Sequence, residues 1–134
     1  MADYHEGNPG GLKDEILRVY EDICDAFATL DYAAVLEHFA DQGMVKISQG
    51  QLIRGKKDLA ENWRQRVGNV AQLRIRMENV EVHRIDDNHT WSTADEYISV
   101  DGQERQAIVS NIFMLQASGW KILLDHTSYI EKDD

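Results

Sequence analysis

The chain has 134 residues, enough for one domain whose core hides roughly 68% of the unfolded chain's surface. Its 24 Asp and Glu against 14 Lys and Arg give a net charge of -10. That charge repels nucleic-acid phosphates and anionic lipid headgroups, so neither nucleic acid nor a membrane is an expected partner. A single cysteine, Cys24, cannot close an internal disulfide, and the start MADYHEGNPGGLK lacks a signal peptide's apolar segment. No run approaches the roughly 20 apolar residues of a membrane span, and the expected location is cytoplasmic.

Residues 1–11, with Gly7, Asn8, Pro9, Gly10 and Gly11, have little to bury and read as a flexible N-terminal tail. Residues 12–134 then form a single domain. Leu12, Ile16, Tyr20, Ile23, Phe27 and Leu30 recur at three- and four-residue steps, the stripe of an amphipathic helix with Lys13, Asp14, Arg18 and Glu21 outside. Asp31 suits an N-cap for a second, short helix carrying Tyr32, Val35, Leu36 and Phe39, and Gly43 stops it. Met44 to Ser48 and Leu52 to Arg54 read as two short strands about a turn at Gln49-Gly50-Gln51. Leu59, Trp63 and Val67 lie four apart on a third helix, closed by Gly68.

The rest is strand-like, divided at Asp86-Asp87-Asn88, Asp101-Gly102 and Ala117-Ser118-Gly119. In the first long strand Leu73, Ile75 and Met77 share one parity and Val80 and Val82 the other. A β-bulge near Glu78-Asn79 reconciles them and bends the sheet. Helices first, then an antiparallel meander of about four long strands, makes the class α+β.

With two-residue turns, Glu96 falls opposite Ala107, Ala94 opposite Val109, Ser92 opposite Asn111, and His126 opposite Val109 or Asn111. One face then holds Ser92, Ala94, Glu96, Val109, Asn111, Phe113, Trp120, Ile122, Leu124, His126 and Ser128. The other holds Tyr97, Ile108, Ile112, Met114, Leu123, Asp125, Thr127 and Tyr129. Three helices cover one face only. The second, left apolar on a monomer, implies a homodimer packed sheet on sheet, unless loops or the tail cover it.

The segments LDYAAVLEHFADQGMV, IRGKKDLAENW and GWKILLDHTS, with the Asp-Gly hairpin, resemble the nuclear transport factor 2-like superfamily and within it the SnoaL-like and ketosteroid-isomerase-like small proteins. The resemblance implies a cone-shaped barrel of curved sheet wrapped around three N-terminal helices, a pocket open at one end, and a homodimer through the outer sheet face. It also implies catalytic patterns that this chain lacks. The isomerases' strand-borne acid has no counterpart in Met44 to Ser48, the helix-borne Asp of the dehydratases falls at Ala28, and of the paired terminal-strand histidines of kinase association domains only His126 remains, with Leu124 in the other place.

His126 is the leading catalytic candidate, since imidazole exchanges protons near neutral pH, and Glu96 is the one acid on its inferred face of the meander, about 10 Å away across a flat sheet. Desolvation would raise the Glu96 pKa and suit it to act as a base. Tyr20, Trp63, Asn111, Phe113, Trp120 and Ser128 are the expected ligand-binding residues, each with an ordinary core or hydrogen-bonding role as the alternative. The histidines are too scattered for a metal site, and no phosphate loop or dinucleotide fingerprint occurs, so no cofactor is expected. Cys24 reads as a small buried hydrophobe. Together these point to an apolar pocket for a small apolar or amphipathic organic molecule and cofactor-free proton-transfer chemistry of isomerase, dehydratase or cyclase type using His126; the alternative is a non-catalytic ligand-binding or oligomerisation module.

Overall fold

The structure, a computed structural model, describes residues 11–131. The expected tail lies, apart from Gly11, outside the described residues. Helix α1 (Leu12–Ala28) buries Leu12, Ile16, Tyr20 and Ile23, the stripe read from the sequence. At its end Leu30 takes a positive φ of 58°, and the Asp31 carboxylate accepts from the Ala34 amide at 3.1 Å, capping α2 (Tyr32–Leu36). Strands β1 (Val45–Ser48) and β2 (Gln51–Arg54) form a hairpin about Gln49-Gly50, both in the left-handed region. Helix α3 (Gly55–Val67) buries Leu59 and Trp63. Four long strands follow: β3 (Leu73–Asp86), β4 (His89–Val100), β5 (Gln103–Gln116) and β6 (Gly119–Tyr129). Among the described residues no helix is long and apolar enough to cross a membrane.

The six strands form one curved sheet in the order β2-β1-β6-β5-β4-β3. It is an α+β cone, but the sheet stays open, with β2 and β3 as edges. All neighbours are antiparallel except β1 and β6, which run parallel. The helices cover the concave face, where Ile16, Val35, Met44, Leu59, Phe113 and Ile122 are fully buried. The β3 bulge falls between Glu78 and Glu81, with Asn79 at φ 55°, so Leu73 and Val82 both reach the core. Asp101 and Gly102, with φ of 49° and 88°, make the β4–β5 turn, and its register pairs Glu96 with Ala107, Ala94 with Val109 and Ser92 with Asn111, as the turn chemistry requires.

A second bulge, in β6, corrects the sequence reading. Phe113 pairs with Ile122 while its neighbour Ile112 pairs with Leu124, leaving Leu123 unmatched. One extra residue on one strand reverses the facing of everything beyond it. Trp120 and Ile122 stay inside as expected, but from Leu124 onward the parity is the opposite of the expected one: Leu124 pairs with Ile112 of the convex face. His126 pairs with Ser110 and is exposed, and Ser128 pairs with Ile108 and is exposed. Asp125, opposite Asn111, and Thr127, opposite Val109, are buried on the concave side.

Candidate functional site

Between α1, α3 and the concave sheet lies a cavity of about 260 Å³. Its walls are apolar, with Ile23, Phe27 and Trp63 from the helices and Ile75, Met77 and Ile98 from β3 and β4. An edge-to-face contact of Phe27 with Trp63, ring centroids 5.4 Å apart, holds the indole in place.

The floor is polar and internally bonded. The Lys46 ammonium, brought to β6 by the parallel β1–β6 pairing, donates to Asp125 Oδ1 at 2.7 Å and to Thr127 Oγ1 at 3.2 Å. Thr127 Oγ1 donates to the same Asp125 oxygen at 2.9 Å, and Asn111 Nδ2 donates to Asp125 Oδ2 at 3.0 Å. The Tyr20 hydroxyl, from α1, donates to Asn111 Oδ1 at 2.6 Å and shares a further hydrogen bond with Ser92. Tyr20, Ser92, Asn111, Asp125, Thr127 and Lys46 thus form one continuous network. Burial pushes the Asp125 carboxyl up, but the ammonium and its hydrogen bonds outweigh that and hold it below the usual carboxylate range. Burial pulls Lys46 down, and Asp125 more than restores it. The pair is therefore an ion pair at neutral pH.

Glu96 stands beside this network without joining it. It is 9% exposed, lines the cavity, and has no hydrogen-bond partner among the described residues. Burial, then the Asp125 charge, push its carboxyl up to about 7 against the opposing pull of Lys46. A carboxyl poised there exists in both protonation states near neutral pH, the condition for general acid–base work.

The residues expected from the sequence divide accordingly. Glu96, Tyr20, Trp63 and Asn111 converge on the cavity. Phe113 is fully buried against Tyr20, with ring centroids 5.7 Å apart, and Trp120 donates its indole N–H to Glu15 at 3.0 Å; neither lines the cavity. His126 and Ser128, which do not line the cavity, open instead onto an adjoining depression with Ile47, Gln49 and Gly50 that shares Arg105, Thr127 and Tyr129 with it. Sequence reasoning missed Lys46, Asp125 and Thr127. The adjacent pair Leu123-Leu124, which breaks the alternation begun by Trp120 and Ile122, is the signal that marks the phase change, just as Val80 after Met77 marks it in β3. Cys24 is half-buried, and burial pushes its thiol up to about 12, which leaves it an unreactive thiol. Among the described residues no group of three or more His, Cys, Asp or Glu is arranged to hold a metal ion.

A curved sheet closed on one face by N-terminal helices around a polar-floored cavity is the architecture of the nuclear transport factor 2-like superfamily. Within it, the chain belongs to the SnoaL-like domain family, which it matches over residues 16–131. An NTF2-like superfamily protein from Salmonella enterica is similar with a TM-score of 0.79 and 18% identity, covering 91% of this chain and 93% of that one. A candidate dehydratase of the NTF2-like family from Streptomyces avermitilis is similar with a TM-score of 0.77 and 16% identity, covering 89% and 96%. A candidate calcium/calmodulin-dependent protein kinase II association domain from Xanthomonas campestris has a TM-score of 0.79 and 14% identity, covering 92% and 91%. At these identities the likeness extends to the fold. No curated protein matches the sequence.

Proposed function

We propose that the cavity binds a small, largely apolar organic molecule and that Glu96 transfers a proton to or from it, in cofactor-independent chemistry of the isomerase, dehydratase or cyclase type. The observation that carries this reading is the buried Glu96 carboxyl, poised near pH 7 and unbonded, facing a cavity that the Lys46 ammonium also lines. A carboxylate takes a proton from a carbon acid; the Lys46 ammonium, which lines the same cavity, spends two of its three N–H donors on Asp125 and Thr127 and keeps a third for the oxyanion that develops as the proton leaves. One of the similar structures is described as a candidate dehydratase, a reaction of the same class. The test is ligand-induced thermal shift against small phenols, ketones and carboxylates, followed by exchange of the acidic C–H protons of bound ketones with heavy water. Exchange that rises through pH 7 and disappears in Glu96→Gln supports the reading. No shift with any compound, or exchange unaltered by Glu96→Gln, overturns it.

A second property rests on the convex sheet face. Ile108 is 47% and Trp91 38% exposed there, with His83 stacked on Trp91 at 4.4 Å between ring centroids. These apolar side chains support a homodimer joined through that face. Sedimentation of the wild type as a dimer and of Ile108→Glu as a monomer supports it; a monomeric wild type at micromolar concentration overturns it.

A further inference from the structure

We infer that the ligand is an organic anion, an apolar body ending in a carboxylate, whose charged end is read at the cavity mouth by Arg66 and Arg105. This rests on the reading of the cavity as a ligand site and adds the class of ligand. Arg66, in the last turn of α3, and Arg105, near the start of β5, reach the same cavity from opposite walls. Both act on one phenol: burial and Glu96 push Tyr129 up, while Lys46, Arg105 and Arg66 pull it down. The Arg105 guanidinium lies 3.9 Å from the centroid of the Tyr129 ring, so its position is fixed by stacking while its N–H edge stays available.

What sets these two apart is that they line the cavity and lack a carboxylate partner. Among the described residues neither Arg66 nor Arg105 makes a salt bridge or a side-chain hydrogen bond, whereas Arg64 pairs with Glu61, Arg76 with Glu78, Lys56 with Asp41 and Lys46 with Asp125. Of the three cations that line the cavity, Lys46 is matched by Asp125, while Arg66 and Arg105 face it without a carboxylate and leave a place for an external anion. The interior excludes the reverse orientation. Asp125 offsets the Lys46 charge and Glu96 stands on the same floor, so the interior has no net positive charge to hold a carboxylate pushed inward. The apolar body goes in over Trp63, Ile75 and Met77, and the charge stays at the mouth.

The experiment compares naphthalene carboxylate with naphthalene carboxamide, matched in shape, by titration calorimetry on the full chain at low and high salt. The carboxylate is expected to bind about tenfold more tightly than the amide, a preference that shrinks as salt screens the rim charges. Arg66→Gln and Arg105→Gln should each reduce that preference, and the double variant should abolish it with amide binding unchanged. Equal binding of the two compounds to the wild type, or a preference that survives in the double variant, overturns the anion assignment and leaves the cavity reading standing. Binding of neither compound overturns both.

Discussion

Lys46 and Asp125, 79 positions apart, meet at 2.7 Å because β1 joins the sheet parallel to β6 and the two residues are direct register partners. The contact depends on two separate features of the chain. The parallel pairing brings the ammonium alongside β6, and the bulge at Leu123 turns Asp125, rather than His126, toward it. An ion pair at the base of an apolar cavity is costly to break, since each partner alone would be a buried, uncompensated charge.

Lys46→Met is therefore expected to destabilise the protein by about 3–5 kcal/mol, because Asp125 keeps only Asn111 and Thr127 as donors. Asp125→Asn should be milder than Lys46→Met. The double variant Lys46→Met/Asp125→Asn should be less destabilised than the sum of the two single changes. Urea unfolding of the four proteins measures the coupling, and additive losses would mean that the pair does not interact in solution.

Tyr20→Phe removes one hydroxyl from the junction of the network. Ser92 and Asn111 Oδ1, both buried, lose the partner that Tyr20 supplies. The expected loss is about 1–3 kcal/mol, with the Phe113 packing retained, as measured by chemical denaturation. A loss near zero would mean that water replaces the phenol.

How much of this was legible in the sequence depends on what each signal encodes. The α1 stripe, the Asp31 cap and the Asp101-Gly102 turn are local: they follow from periodicity, from a carboxylate beside free amides and from residues that accept positive φ. The β3 bulge was legible because apolar residues on both sides of Asn79 fix the parity twice. Beyond Leu123 the residues are Leu124, Asp125, His126, Thr127 and Ser128, which carry apolar parity only at Leu124, so continuing the alternation of Trp120 and Ile122 gives the reversed face. Glu96 and Asn111 were placed through the β4–β5 turn, which has no such gap. Lys46 could not be found from its own strand, because what brings it to the floor is a parallel pairing between segments far apart in the chain.

The reversal gives a direct comparison between two residues. His126→Ala, on the convex side, is expected to leave binding of naphthalene carboxylate within about twofold of wild type, since the imidazole does not reach the cavity. Trp63→Ala, which removes an aromatic wall, should weaken the same binding by roughly tenfold or more, by loss of buried contact area, as read by calorimetry. A strong effect of His126→Ala with none from Trp63→Ala would move the ligand site to the other side of the sheet.

Glu96 links the site to the pH dependence of stability. Its pKa rises from the ordinary 4.5 to about 7 on folding, so between those values the folded protein holds a proton that the unfolded chain has released. Stability from this group is fully present below pH 4.5 and is lost as pH rises through 7, by on the order of 3 kcal/mol. Asp125 acts in the opposite sense: its carboxyl is held below the ordinary 3.8, so its contribution is present above that value and is lost as pH falls through the lower folded-state value. Stability should thus decline from weakly acidic toward mildly alkaline pH. Glu96→Gln, which keeps the shape and removes the ionisation, should flatten that decline and melt higher than wild type at pH 8, with no such gain near pH 5. Melting curves of the two proteins across this range decide the matter: parallel pH profiles would mean that Glu96 titrates as a solvated carboxylate, which would remove it as the proton-transfer group.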